Sequence, residues 1–119
     1  MSAFPVVIHH NPNCGTSRTT LQIIRDAGIE PVVVEYLKTG WTRAQLQALF
    51  AVANLTARQA LRDKADEAKA LNLLRDDVSE DELLDAMTAH PILVNRPIVA
   101  TPRGVRLCRP SELARELLP

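Results

Sequence analysis

Apolar residues form short runs near both ends of the chain and follow helical spacing in between. Residues 5–9 (PVVIH) and 32–37 (VVVEYL) are rich in β-branched side chains and predict strands. Between them, residues 17–27 carry apolar side chains at helical spacing, and Gly28 supplies a C-terminal stop. The first third of the chain is therefore predicted to be a β-α-β unit with parallel strands and a right-handed crossover.

The middle of the chain carries a repeated signal for helix starts. A Ser or Thr stands three positions before a Gln or Glu in three places: Thr42 with Gln45, Thr56 with Gln59, and Ser79 with Glu82. This spacing is that of the capping box, so helices are predicted over 43–53, 57–63 and 80–89. A shorter helical piece is expected near 66–73.

The end of the chain returns to strand-like sequence. Residues 97–101 and 105–108 flank a turn and predict an antiparallel hairpin, and residues 110–118 predict a closing helix. The order β-α-β, helices, β-β-α is that of a thioredoxin-like α/β fold, a mixed four-stranded sheet with a helical insertion at about 42–90. No linker or repeat divides residues 1–119, so a single domain is expected.

Composition excludes several classes of protein. Fourteen basic and fourteen acidic residues cancel, and only four residues are aromatic. We expect no net electrostatic attraction for nucleic acid or anionic membranes, and no aromatic surface on which bases could stack. No apolar run reaches the ~18 residues of a membrane span, and two cysteines make no disulfide framework. We expect a cytoplasmic monomer with reduced thiols.

Cys14 is the first candidate for chemistry. It lies between the first predicted strand and helix, in the polar loop HHNPNCGTS. At a helix start, free backbone N–H groups favour negative charge, lower a thiol pKa and bind tetrahedral oxyanions. His10 and Arg18 are expected to add positive charge. The polar loop argues against the alternative, a cysteine buried as a small apolar residue.

Cys14 has no second cysteine at the spacing of a dithiol redox site. Ser17 stands where a C-x-x-C motif has its second thiol, so an adduct on Cys14 needs a thiol from elsewhere. Glutathione is the preferred source. Cys108 is the internal alternative, although its place at a strand end is typical of a buried residue.

The arginines are the candidates for holding an anion. Thr20 stands where a C-x5-R phosphatase loop has its arginine, so an oxyanion clamp must come from other positions. Arg62, Arg96 and Arg109 are the candidates, since a guanidinium fork binds two oxygens at once. In a thioredoxin-like fold, a cis proline at position 97 would place Arg96 beside Cys14.

No metal site is expected. His9 and His10 are adjacent on a strand and point to opposite faces, and the chain has no paired-ligand motif of a zinc site.

Four blocks of sequence resemble the glutaredoxin-coupled arsenate reductases. They occur in the order of that family and cover the chain nearly end to end. The blocks are HNPxCGTSR at 10–18, ALR at 60–62, HPILVNRPIV at 90–99 and GVRLCRPSE at 104–112.

This resemblance implies a thioredoxin-like fold with a helical insert and the reduction of arsenate to arsenite. It implies that Cys14 is the nucleophile and that His10 helps to lower its pKa. It also implies that Arg62, Arg96 and Arg109 hold the arsenic oxyanion. Glutathione would be a co-substrate and glutaredoxin a protein partner, with no bound cofactor.

Two other readings are open at this point. One is a thioredoxin-like paralogue that acts on another thiol substrate. The other is a non-enzymatic regulator that binds RNA polymerase, although such regulators typically use a C-x-x-C switch and Ser17 disfavours one here.

Overall fold

The computed structural model describes residues 4–119, so the first three residues of the expected domain lie outside it. The chain divides into two compact units. The first contains the residues up to Thr39 together with Arg96–Pro119, and the second is Gly40–Asn95. The helical insertion expected at about 42–90 lies within the second unit, and a single domain over the whole chain stays a prediction.

The first unit is built on a mixed sheet of four strands. The strands are β1 (Val7–His10), β2 (Val32–Glu35), β3 (Ile98–Thr101) and β4 (Gly104–Leu107). Their order across the sheet is β2-β1-β3-β4, with β1 and β2 parallel and the other pairs antiparallel. Both the parallel pair and the C-terminal hairpin are as the sequence predicts, and the fold class is confirmed.

Two helical segments complete the first unit's core. Helix α1 (Gly15–Asp26) packs against a 3-10 helix, Ser111–Leu117. Between them and the sheet lies one cluster of buried side chains: Val6, Ile8, Ile24, Val99, Cys108, Ala114, Leu117 and Leu118. This core holds β1 and α1, and hence the loop between them, against the hairpin.

The second unit is helical. Its helices are α3 (Arg43–Ala53), α4 (Ala57–Ala60), α5 (Asp66–Ala70) and α6 (Glu80–Ala89), followed by a 3-10 turn at Pro91–Leu93. Capping boxes at Thr42 and Thr56 are complete in both directions, and the Ser79 hydroxyl accepts from the N–H of Glu82. The capping signals thus begin three helices at the predicted residues.

The second strand and the helix predicted over 57–63 are both shorter than expected. The second strand ends at Glu35, and the chain continues as a helical turn, α2 (Tyr36–Thr39), which buries Tyr36. The predicted helix 57–63 ends at Ala60, because Leu61 is extended and pairs with Val94.

The closing segment is a 3-10 helix rather than an α-helix. Its buried residues are Ser111, Ala114 and Leu117, which recur every third position. A period of three matches the 3.0 residues per turn of a 3-10 helix, which places all three side chains on one face. None of the helices within residues 4–119 has both the length and the apolarity to cross a membrane.

The cap of α3 offers a test of the second unit's stability. Thr42→Ala removes a hydroxyl that accepts from the N–H of Gln45, and should lower the free energy of unfolding by about 1 kcal/mol. Urea unfolding measures the change. Gln47→Ala, an exposed substitution within the same helix, is the control and should leave the value within about 0.5 kcal/mol. Equal effects of the two substitutions would contradict the role of the cap.

Candidate active site

Cys14 is the N-cap residue of α1. Its backbone is extended, with φ −100° and ψ 122°, and its carbonyl accepts from the N–H of Arg18 at 3.0 Å. Serine, threonine, asparagine and aspartate usually occupy this position, because a side-chain acceptor there meets free N–H groups of the first turn. Here the residue is a cysteine whose side chain makes no capping hydrogen bond of ordinary geometry, but the nearby N–H groups of Ser17 and Thr16 lower its pKa.

The environment of Cys14 favours its thiolate. Burial raises the pKa of the thiol, since the residue is 7% exposed and its charge is poorly hydrated. Hydrogen bonding from the Ser17 and Thr16 N–H groups and the positive charges of Arg96 and Arg109 act in the opposite direction. Together they outweigh burial, and the pKa of Cys14 is lowered from the ordinary value of a thiol.

The sheet register brings two of the predicted arginines to the cysteine. His9, near the end of β1, pairs with Ile98 at the start of β3, and Ile98 pairs with Leu107 at the end of β4. The loop after β1, the segment before β3 and the segment after β4 therefore lie at one edge of the sheet. Those segments carry Cys14, Arg96 and Arg109 in turn.

Arg109 contacts both the cysteine and the other arginine. Its Nη1 lies 3.8 Å from the sulfur of Cys14 and donates to the carbonyl of Arg96 at 3.1 Å. The Arg96–Pro97 peptide bond is cis, as expected, and so is Arg109–Pro110. Two arginines that are distant from Cys14 in the sequence thus form a cationic edge that faces its sulfur.

His10 lies next to the site but contacts a different group. Its Nδ1 is 2.6 Å from the hydroxyl of Ser17, and that hydroxyl also accepts from the N–H of Asn11 at 3.1 Å. Burial lowers the pKa of His10, which favours a neutral ring at neutral pH. The contact with Ser17 links His10 to the first turn of α1, and its catalytic role stays a prediction.

The other two arginines singled out in the sequence make hydrogen bonds to backbone carbonyls. Arg18 donates from Nη1 to the carbonyl of Pro12 at 2.9 Å, which braces the loop that carries Cys14. Arg62 belongs to the helical unit, where its N–H donates to the carbonyl of Leu93 at 2.7 Å. Its contact with an anion stays a prediction.

Cys108 has the opposite environment to Cys14. It is fully buried in the core beneath the sheet, and its sulfur lies 3.7 Å from the carbonyl of Arg106. Burial raises the pKa of Cys108 to about 12. It is a core residue and, at neutral pH, a protonated thiol.

Two residues of the site escaped the sequence reasoning. From the sequence, Ser17 stands out only as the position of a missing second thiol, and Asn11 only as part of the polar loop around Cys14. The signal for Ser17 was present: it precedes Leu21 and Ile24 by four and seven positions, so a polar side chain occupies the buried stripe of α1. A polar residue on such a stripe has a hydrogen-bonding partner inside the protein.

The chain is similar to known proteins in both sequence and structure. The family model described as the ArsC family matches residues 9–117. The chain belongs to the ArsC family. The matched residues include the loop around Cys14 and both arginines at the sheet edge.

Relatives of known name cover nearly the whole chain. An arsenate reductase of Synechocystis sp. is 59% identical over 95% of this chain and 81% of its own length. An arsenate reductase of Escherichia coli is 49% identical over 96% of this chain and 81% of its own length. A solved arsenate reductase from Vibrio cholerae superposes with a TM-score of 0.93 at 40% identity, covering 98% of this chain and all of that one.

In this chain of the ArsC family, a cysteine with a lowered pKa, two arginines and a helix start lie at one edge of the sheet. No three side chains among His, Cys, Asp and Glu cluster closely enough in residues 4–119 to hold a metal ion. The chemistry that these groups support is attack by a thiolate on an oxyanion.

The contrast between the two thiols predicts selective alkylation. At pH 7 iodoacetamide should modify Cys14 and leave Cys108 unmodified, because the reagent reacts with thiolates and only Cys14 has a lowered pKa. The rate of modification rises with pH until the thiol is fully ionised. Because the pKa of Cys14 is lowered, its rate should reach a plateau at a lower pH than the rate of a free thiol. Peptide mass mapping identifies the modified residue, and modification of Cys108 first would contradict the assignment.

Proposed function

We propose that this chain is an arsenate reductase in which Cys14 is the nucleophile. The single observation that carries the proposal is the buried sulfur at the start of α1, 3.8 Å from a guanidinium nitrogen of Arg109. The arsenate reductases named above, at 49% and 59% identity, support the same substrate for this chain.

Arsenate is held in this proposal by the cations that already face the sulfur. Arg96 and Arg109 are planar forks, and each offers parallel N–H donors to two oxygens of a tetrahedral anion. The free N–H groups of the first turn of α1 favour negative charge at the same place. Arg62 is assigned as a third arginine on the resemblance of its ALR segment alone.

The first chemical step forms an S–As bond. The Cys14 thiolate attacks arsenic, and one arsenate oxygen leaves as water after it is protonated. Negative charge passes from sulfur to the arsenate oxygens as the coordination at arsenic expands. Arg96 and Arg109 stabilise that charge without having to reorganise, since Arg109 is already bonded to the Arg96 carbonyl.

The electrons come from outside the chain. Glutathione condenses with the arsenic bound to Cys14 and releases a second water. A glutaredoxin thiolate then attacks the glutathione sulfur and forms a glutaredoxin–glutathione disulfide. The electron pair of the broken As–S bond stays on arsenic, so the two thiols are oxidised and As(V) becomes As(III). Hydrolysis releases arsenite and frees Cys14. Glutathione and glutaredoxin are therefore substrates or partners of the reaction rather than bound cofactors.

The environment of Cys14 supports dependence on external thiols. The position three residues on is Ser17, and its hydroxyl is already bonded to His10 and Asn11. Cys108 is buried and protonated, so it is a poor resolving thiol. The proposal assigns a monomeric enzyme to the cytoplasm, where glutathione and reduced glutaredoxin are maintained.

Arsenate-dependent turnover tests the first part. With glutathione, glutaredoxin, glutathione reductase and NADPH, the wild-type protein should consume NADPH only when arsenate is present. Cys14→Ser should abolish turnover, because the serine hydroxyl stays protonated at neutral pH. Equal rates for wild type and Cys14→Ser would remove Cys14 as the nucleophile.

The arginines have a matched control in the same assay. Arg96→Ala and Arg109→Ala should each lower kcat/KM for arsenate about 10- to 100-fold, the effect of losing one charge-assisted contact. Arg115 is an exposed arginine of the 111–117 segment, and Arg115→Ala should change kcat/KM for arsenate less than twofold. Arg43 is unsuitable as a control, because it forms ion pairs with Asp81 and Asp85.

The source of electrons is tested by exchanging the thiol system. Turnover should require glutathione and glutaredoxin together, and thioredoxin with its reductase should not replace them, since the mechanism passes through a mixed arsenic–glutathione adduct. Full activity with thioredoxin alone would refute the glutathione step while leaving Cys14 as the nucleophile.

A further inference from the structure

Asn11 is a buried polar residue at the centre of the loop that carries Cys14. It directly follows β1 and is 5% exposed. The carbonyl of Asn11 accepts from the N–H of Cys14 at 3.0 Å, and its side-chain Oδ1 accepts from the N–H of Asn13 at 3.0 Å. Its own N–H donates to the hydroxyl of Ser17 at 3.1 Å.

These three bonds connect the end of β1, the loop that carries Cys14 and the first turn of α1. The first closes the turn from residue 11 to residue 14, and the second forms an Asx turn inside it. The third joins the end of β1 to the first turn of α1, at the hydroxyl that also contacts His10. One residue thus determines where the chain leaves the sheet and how it enters the helix.

The position of the sulfur depends on that framework. Cys14 keeps an extended backbone immediately before α1, and its sulfur is near enough to the N–H groups of Ser17 and Thr16 for them to lower its pKa. A hydrogen bond weakens steeply as its angle departs from linearity. A loop that loses one of its ties therefore shifts these N–H groups relative to the sulfur, and the charges of Arg96 and Arg109 are then left to oppose the effect of burial.

From this geometry we propose that Asn11 is a positioning residue for Cys14: its side-chain oxygen holds the loop in the turn that keeps the sulfur against the start of α1. This inference rests on the proposed role of Cys14 as the nucleophile. Asn11 acts through the loop, and no contact with substrate is required of it.

The loop supplies its own control. Asn13 contributes its backbone N–H to the bond with Asn11, while its side chain is exposed. Asn13→Ala therefore keeps the bond, and Asn11→Ala removes the acceptor. Asn11→Ser keeps a shorter acceptor that can form the equivalent turn, so it is the rescue variant and a substitute if Asn11→Ala fails to fold.

The experiment measures the Cys14 thiol rather than arsenate turnover. Thiolate absorbance is titrated against pH, and the rate of iodoacetamide modification at pH 7 is followed in parallel, both in a Cys108→Ala background so that one thiol remains. Asn11→Ala should move the titration midpoint upward and slow modification about fivefold. Asn13→Ala should match the parent protein, and Asn11→Ser should lie between the two.

Stability is measured on the same samples, because a purely structural role predicts a different result. If Asn11→Ala lowers the melting temperature and leaves the titration midpoint unchanged, the proposal is overturned. An equal shift in Asn13→Ala would also overturn it.

The wild-type titration separates this inference from the proposed function. A wild-type midpoint at the ordinary thiol value would refute the thiolate on which the proposed function depends. A lowered wild-type midpoint that Asn11→Ala fails to move would refute the role of Asn11 alone.

Discussion

The candidate site depends on the thiol of Cys14, whose pKa is lowered although the residue is buried. Removing a thiolate from water is unfavourable, and Cys14 is 7% exposed. The N–H groups of the first turn of α1 and the charges of Arg96 and Arg109 reverse that penalty. The same groups that stabilise the thiolate before substrate arrives can stabilise the negative charge that leaves it during attack, so one arrangement serves both states.

The antiparallel register of the sheet assembles those charges. Arg96 precedes β3 and Arg109 follows β4, and the hairpin places both ends at the edge where β1 delivers Cys14. Arg109 then bonds to the carbonyl of Arg96, which limits the freedom of its guanidinium. A long side chain fixed in this way loses less entropy when an anion binds. The cationic edge is thus a property of strand pairing more than of any local motif.

The two cysteines illustrate how environment separates residues of the same type. Cys14 meets helix N–H groups and arginines, whereas Cys108 packs among aliphatic side chains under the sheet. The pKa of one is lowered and that of the other raised to about 12. Because Cys108 is buried and its thiol is protonated at neutral pH, it is a poor nucleophile for resolving an adduct on Cys14. This accounts physically for the external thiols in the proposed mechanism.

Local sequence determined much of the fold. Capping pairs at Thr42, Thr56 and Ser79 place helix starts because their hydrogen bonds span three residues. The strands, the parallel and antiparallel pairings and the helix that follows Cys14 were likewise predictable from periodicity and turn residues. The residues themselves made Cys14 and the arginines candidates, and the resemblance in motifs implied their roles. Strand register explains why Arg96 and Arg109 meet Cys14.

Only the tertiary structure decided what depends on packing between distant segments. In the last segment, a 3-10 helix, the buried positions recur every third residue. Which of its positions are buried becomes known only once the core is known. The neutral state favoured for His10 follows from burial, and the bonds of Ser17 and Asn11 follow from how β1 docks on α1. The helix type, the state of His10 and the bonds of Ser17 and Asn11 all depend on groups that folding brings together. The sequence pattern records spacing along the chain, but it records neither burial nor contacts between distant segments.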